Sequence, residues 1–136
     1  MNLTRDLKIK EMKSKCRQSI INGINVYISE TNSVEHFDLT VEDQLNLNSL
    51  RYQTLFEDVE KLPLHCKDGE FKYYTVEDTS NVLNEMDKHI LYHNSYFNSL
   101  KRYINNLTDY KQVNSIEYGD DIPEEYKSEI LLSIEN

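Results

Sequence analysis

VEDTSNVLNEMDKHILYHNSYFNSLKRYINNLT, residues 76–108, carries the longest regular pattern in the chain. Its apolar and small residues recur in alternating steps of four and three, which is the spacing of a helix that packs along one continuous seam. The pattern predicts a single helix from Val76 to Thr108, about 50 Å long at 1.5 Å per residue. The predicted seam consists of Thr79, Leu83, Met86, Ile90, His93, Phe97, Leu100, Ile104 and Leu107.

A second row widens the face of this helix, because apolar and aromatic residues also recur every seven positions beside the seam. A wide face is typical of bundle packing, whereas a dimeric coiled coil uses a narrow seam. A small domain does not cover so long a helix. We therefore expect one part of it to pack on a helix at Val41–Lys61 and another part to contact a second chain. The residues predicted to form that partner interface are Leu100, Tyr103, Ile104 and Leu107.

LPLHCKDGEFKYY, residues 62–74, precedes the long helix and places a histidine beside a cysteine. Asp68-Gly69 is a two-residue turn signal. A hairpin folded there pairs Lys67 with Glu70 and gathers one apolar face. Strand neighbours point to opposite faces, so the sequence predicts Cys66 in the core and His65 on the surface rather than a catalytic pair. The predicted apolar face consists of Leu64, Cys66, Phe71 and Tyr73.

The first 61 residues predict a helix, a hairpin and a second helix. Residues 4–22 have helical periodicity and stop at Gly23, and residues 24–28 alternate as a strand whose partner is expected in residues 34–39. Thr40 and Asp43 form a capping box that opens the helix ending near Lys61, since Pro63 prevents its continuation. The predicted apolar stripe of this helix consists of Val41, Leu45, Tyr52, Leu55, Phe56 and Val59.

The last residues predict a strand over Val113–Tyr118, a turn at Gly119, and a short helix from Pro123. The fold class expected for the whole chain is α+β, with a long heptad-patterned helix packed against shorter helices and small β-hairpins. We expect three segments. Residues 1–23 form a basic helix or arm, residues 24–111 form the core, and residues 112–136 form an acidic strand and short helix.

Charge and composition exclude several classes of protein. The net charge is −9, with 24 acidic and 15 basic residues, which argues against nucleic acid as the main ligand. No apolar run approaches the roughly 20 residues of a membrane span, and no signal peptide is expected. Two cysteines are too few for a disulfide framework. We therefore expect neither a nucleic-acid nor a membrane partner, and synthesis in a reducing cytoplasm.

Candidate chemistry is limited to His89 and His93, which lie four residues apart on one helical face. That spacing suits two metal ligands. The segment lacks the glutamate of the metalloprotease motif, and no third ligand is marked nearby. We therefore expect no catalytic residue, no cofactor and no metal site.

Four stretches resemble a family of small phage and prophage proteins encoded beside tail-fibre genes. They are LTVEDQLNL, LHCKDGEFKYYTVED, YHNSYFNSLKRYI and IEYGDDIPEEY. Many members carry an aromatic-His-x-Asp-Gly-Glu hairpin followed by a long helix with Tyr-His-x-x-Tyr, and the resemblance covers about residues 12–130. Cys66 stands where an alanine is common in the family's hairpin. No catalytic residues are attributed to the family.

The resemblance implies a non-enzymatic structural component of a phage tail or tail-like particle, at the baseplate or tail fibre. The expected partners are tail-fibre or baseplate proteins of the same particle, with a homo-oligomer as a further possibility. The protein would be made in the host cytoplasm and assembled into the virion tail. Two alternatives stay open: an assembly chaperone that binds fibre tips and leaves, and a metal-dependent enzyme using His89 and His93.

Overall fold

The computed structural model describes residues 2–56, 58–66 and 69–136. The fold is α+β, and it contains the long helix, the shorter helices and the two small hairpins that the sequence predicts. In chain order the elements are α1 (Asn2–Ile21), β1 (Ile24–Ile28), β2 (Ser33–Phe37), α2 (Val41–Ser49), α3 (Arg51–Phe56), β3 (Lys61–His65), β4 (Phe71–Thr75), α4 (Val76–Asn105), α5 (Tyr110–Ser115), a 3-10 turn (Glu124–Tyr126) and α6 (Glu129–Glu135).

The chain divides into two compact units. Unit 1 consists of Met1–Ser19 and Ile90–Asn136, and unit 2 consists of Ile20–His89. These boundaries do not coincide with the predicted segments 1–23, 24–111 and 112–136. The N-terminal helix and the acidic C-terminal segment belong to the same unit, because both pack on the second half of α4. The continuity of α4 from Val76 to Asn105 confirms the prediction of one unbroken helix.

The first hairpin of unit 2 forms as its alternation predicts. β1 and β2 are antiparallel, with Ile24 opposite Phe37 and Ile28 opposite Ser33, and every second residue of β1 is buried. Gly23, with φ +92°, ends α1 before this hairpin, as predicted. A Cβ at this position would lie 2.0 Å from the carbonyl oxygen of Phe37, so a glycine is needed here for both conformation and space.

The second hairpin forms, but its predicted register is wrong by one residue. Leu64 pairs with Lys72 and His65 with Phe71. The Cys66 N–H donates to Glu70 O at 2.8 Å, and the Gly69 N–H donates to Cys66 O at 2.9 Å. The connection therefore spans three residues, with Gly69 at φ +87°, instead of two. Lys67 and Asp68, which carried the predicted turn and charge pair, lie outside the described residues.

A shift of one residue exchanges the two faces of a strand. Tyr74 is buried, and Phe71 and Tyr73, which were predicted in the core, are exposed. The prediction for β3 holds: Leu64 and Cys66 are buried.

The helix after the first hairpin begins as predicted and ends early. Thr40 caps α2, and both hydrogen bonds of the capping box with Asp43 are present. Leu50 separates α2 from α3, and β3 begins at Lys61, so the predicted continuous helix to Lys61 is wrong.

A buried carboxylate joins α4 to the first hairpin. Asp78 is fully buried, and its Oδ1 accepts from the Ser29 N–H at 2.9 Å and from Ser29 Oγ at 2.8 Å. Its Oδ2 accepts from the Glu30 N–H at 3.3 Å. Burial disfavours the charged form, but these donors and Thr75 outweigh it and hold the pKa of Asp78 below its ordinary value. The ionised carboxylate therefore stabilises unit 2.

Unit 1 is built around the second half of α4, and residues of α1, α5 and the C-terminal segment complete its core. Val113 lies on α5, so the predicted strand over Val113–Tyr118 is wrong. The predicted turn at Gly119 is present. The predicted C-terminal helix is divided into a 3-10 turn and α6, which buries Leu131 in this core.

Two cations of α1 bind the carboxyl ends of helices in unit 1. Arg5 Nη1 donates to the carbonyl oxygen of Leu107 at 3.0 Å, just beyond α4. Lys8 Nζ donates to the carbonyl oxygen of Ile116 at 3.0 Å, just beyond α5. Helix C-termini leave carbonyls without intrahelical partners, and a cation there is favourable. Part of the basic charge of α1 is therefore used within the chain.

Replacing Asp78 with asparagine is expected to lower the free energy of unfolding by about 1–3 kcal/mol at pH 7, because a charge-assisted bond to Ser29 is lost. The folded-state pKa is depressed, so this contribution is present above about pH 4 and is lost as the pH falls through the folded pKa. Urea titrations at pH 7 and at pH 3 test this. Glu77→Gln, an exposed neighbour, is the control. An unchanged difference between wild type and Asp78→Asn at the two pH values contradicts the prediction.

Thr79 is fully buried, and its Oγ1 has no hydrogen-bond partner among the described residues. Thr79→Val keeps the shape and removes the unsatisfied hydroxyl, so we expect it to raise the free energy of unfolding by up to about 1 kcal/mol. Thr79→Ser keeps the hydroxyl and loses a methyl group, so it is expected to cost about 1 kcal/mol. Denaturant unfolding of both variants tests the pair, and a destabilised Thr79→Val would show that the hydroxyl is satisfied.

Candidate functional site

The predicted partner interface on α4 is not an exposed surface. Leu100 and Ile104 are fully buried, Leu107 is buried after the end of α4, and Tyr103 is half-buried with its ring 5.3 Å from that of Tyr126. The prediction assumed that only the helix at Val41–Lys61 covers α4. Residues of α1, α5 and the C-terminal segment bury these positions instead, so the interface predicted there is wrong.

The two histidines of the predicted pair belong to different units. His93 lies in unit 1, where its Nδ1 is 2.8 Å from the hydroxyl of Tyr118 and the two rings stack. His89 is half-buried and belongs to unit 2. Within residues 2–56, 58–66 and 69–136, no three His, Cys, Asp or Glu side chains are placed to hold a metal ion.

A cluster of aromatic side chains joins α4 to the turn at Gly119. The Tyr96 hydroxyl donates to the carbonyl oxygen of Asp120 at 2.6 Å and accepts from the Gly119 N–H at 3.0 Å. Burial raises the pKa of Tyr96 to about 12 and also raises that of Tyr118. Burial likewise raises the pKa of the Cys16 thiol, which donates to His93 O. These groups stay neutral near pH 7, which suits packing and not nucleophilic catalysis.

Cys66, which follows β3, is buried, and His65, the last residue of β3, is exposed, as predicted. The Cys66 sulfur is buried, 3.1 Å from the hydroxyl of Tyr74, and that hydroxyl donates to Glu35 at 2.7 Å. Burial and the hydrogen bond with Cys66 raise the pKa of Tyr74 above its usual range. The imidazole of His65 is partly exposed and pairs with Asp43 at 3.1 Å. The two residues are therefore structural parts of the hairpin.

The candidate functional site is an exposed apolar stripe on α2 and α3. It consists of Val41, Leu45, Tyr52 and Leu55, and these side chains are 69%, 65%, 61% and 70% exposed. Val41 and Leu45 lie one turn apart on α2, and Tyr52 and Leu55 lie one turn apart on α3, so each pair lies on one side of its helix. The sequence predicted an apolar stripe that contains these four residues.

The opposite side of the same segment is the buried one. Leu47 is 6% exposed, and Asp43, Leu47 and Leu50 line a shallow groove with Pro63 and His65 of β3. The segment formed by α2 and α3 thus has two apolar sides, and β3 lies against the side that carries Leu47 and Leu50. The three-residue spacing of Leu47 and Leu50 was the available signal for this orientation.

The surroundings of the stripe are acidic. Unit 2 carries 14 acidic and 5 basic residues, which is a net charge of −9, whereas unit 1 sums to zero. The cation of α3 nearest the stripe in sequence, Arg51, is bound by both carboxylate oxygens of Asp87 at 2.9 Å. Glu42 and Asp58 are exposed at the two ends of the stripe. An apolar stripe with acidic ends favours a partner surface that is apolar and basic.

Comparisons with protein-family models, with curated proteins and with solved structures find no match for this chain. Among the described residues, no helix has the length and hydropathy of a membrane span.

Leu45 and Leu47 offer a matched test of the orientation of α2. Leu45→Asp adds a charge that stays in water, so we expect the free energy of unfolding to change by less than about 0.5 kcal/mol. Leu47→Asp buries an unpaired carboxylate and is expected to cost about 3 kcal/mol or more. Chemical denaturation followed by circular dichroism measures both. Equal effects, or a larger effect at Leu45, would mean that the stripe is the buried side.

Proposed function

We propose that this protein is a non-enzymatic interaction component of a phage tail or phage-tail-like particle, at the baseplate or tail fibre. It contacts its partners through the α2–α3 stripe. The observation that carries the proposal is that four large apolar side chains of α2 and α3 are each more than 60% exposed. Apolar surface of this kind on a folded chain generally marks a protein contact.

The side chains of the stripe can contribute a substantial part of a binding free energy. Burial of a leucine or valine side chain contributes roughly 1.5–3 kcal/mol, so Val41, Leu45 and Leu55 together supply enough for the centre of an interface. Tyr52 adds an aromatic residue, a type enriched among the residues that dominate binding. The exposed acids at the ends add charge selectivity at the rim.

The tail assignment rests on the family resemblance of four sequence stretches. Two of them, YHNSYFNSLKRYI and IEYGDDIPEEY, come together in unit 1, where Tyr96 binds the backbone at Gly119 and Asp120 and His93 pairs with Tyr118. A third stretch forms the β3–β4 hairpin. The resembling residues therefore have packing roles, which supports a structural part rather than an enzyme.

Incorporation into particles tests the proposal. In the strain that encodes the chain, we replace the gene with wild type, with Leu45→Asp/Leu55→Asp, or with the control Leu91→Asp. Leu91 is an exposed leucine on α4, away from the stripe in sequence. We expect wild type and control in purified particles and at least a tenfold loss of the double variant, because a charge buried at an interface is costly. Quantitative mass spectrometry of intact particles gives the copy numbers.

Other outcomes point elsewhere. A double variant at the normal copy number would place the contact on another surface. Wild-type protein that is absent from finished particles, but bound to fibre proteins in the lysate before assembly, would favour the chaperone alternative.

A further inference from the structure

The outer side of α1 is a second exposed apolar surface, and it is basic. Leu3 and Leu7 are exposed one turn apart, on the side of α1 away from the buried Met12. Tyr110, also exposed, lines one shallow groove with Leu7. Continuing from Leu7 in helical steps, the same side carries cations. This α1 face consists of Leu3, Leu7, Lys10, Arg17 and Tyr110.

The cations of α1 divide into two groups. Arg5 and Lys8 are used inside unit 1, on the carbonyl oxygens at the ends of α4 and α5. Lys10, Lys13 and Lys15 are exposed and make neither a hydrogen bond nor an ion pair with any residue in the described part of the chain. The outer cations are therefore available to another molecule.

The α1 face and the α2–α3 stripe complement each other. Each presents exposed leucines and one tyrosine. The α1 face adds unpaired lysines in its surroundings, and the stripe belongs to the unit with net charge −9. Opposite potentials favour the encounter of two such surfaces and fix their register.

We propose that copies of this chain associate head to tail, with the α1 face of one copy on the α2–α3 stripe of the next. This inference rests on the proposed function, since it names the partner of the same stripe. Such a contact is heterologous: each copy in the middle uses two different surfaces, and the assembly closes as a ring or continues as a chain.

The charges also select against symmetric pairing. Two stripes facing each other would bring Glu42 and Asp58 against the same residues of the second copy. Two α1 faces together would bring an excess of cations, Lys10, Lys13 and Arg17 against Asp6, to both sides of the contact. Like charges at an interface are destabilising, so the head-to-tail arrangement is the one in which both surfaces meet opposite charge.

Complementation between two variants tests the arrangement. The stripe variant is Leu45→Asp/Leu55→Asp, and the α1 variant is Leu7→Asp/Lys10→Glu. All four substituted side chains are exposed, and circular dichroism checks that each variant folds. Sedimentation velocity is measured for the wild type, for each variant alone and for their equimolar mixture, at protein concentrations from micromolar to several hundred micromolar.

We expect the wild type to self-associate, less so at 0.5 M salt because screening weakens the charge contacts. Each variant alone is expected to bind itself at least tenfold more weakly. Their mixture retains one intact stripe and one intact α1 face, so it should form a complex of two chains. The control Leu91→Asp should associate like the wild type.

Three results would overturn the inference: a wild type that stays monomeric throughout, an α1 variant that self-associates normally, or a mixture that stays monomeric while the wild type associates. The particle experiment separates this failure from that of the proposed function. If particles take up the α1 variant normally and exclude the stripe variant, the stripe binds a different protein and the tail assignment stands.

Discussion

The structure depends on the burial of one side of α4. A helix of 30 residues with an apolar seam must cover that seam with other parts of the chain, because burial of apolar area is the main favourable term in folding. Val82, Leu83 and Met86 are buried in unit 2, and Leu100 and Ile104 are buried in unit 1. Each unit thus supplies its own cover for its half of the helix.

Each buried polar group inside the two units has the charge state that its surroundings stabilise. The hydroxyls of Tyr96 and Tyr118 and the thiol of Cys16 are neutral near pH 7, because burial raises their pKa values. Asp78 is the opposite case, since several donors stabilise its charge. Tyr96 and Tyr118 hold the turn at Gly119 to α4, and Cys16 joins α1 to α4. Asp78 holds the first hairpin to α4. These titratable side chains therefore have positions that stabilise the fold.

Charged residues are unevenly distributed between the two units. The acidic excess lies in unit 2, and the basic residues of α1 separate into an inner pair that binds helix ends and an outer group that faces solvent. Two apolar surfaces accompany these charges, one on α1 and one on α2–α3. These exposed apolar surfaces are on α1 and on α2–α3, whereas Leu100 and Ile104 of α4 are buried.

The sequence by itself determined the features that depend on neighbouring residues. The seam of α4, the capping box of Thr40 and Asp43, the alternation of β1 and the stop at Gly23 are local patterns, and each is present. The strand predicted from Val113 was wrong, because a short apolar segment fits a strand or a helix equally well.

Tertiary structure decided which side of each element is buried. Leu45 and Leu47 are both leucines of α2, and only the position of β3 makes one exposed and the other buried. Phe71 and Tyr73 are exposed and not buried, because the β3–β4 connection is one residue longer than the turn signal indicates. Leu100 and Ile104 became core because distant segments cover them. Periodicity in the sequence shows which residues share a side of a helix or strand. Which side is buried depends on the element that packs against it, and that element is often distant in the sequence.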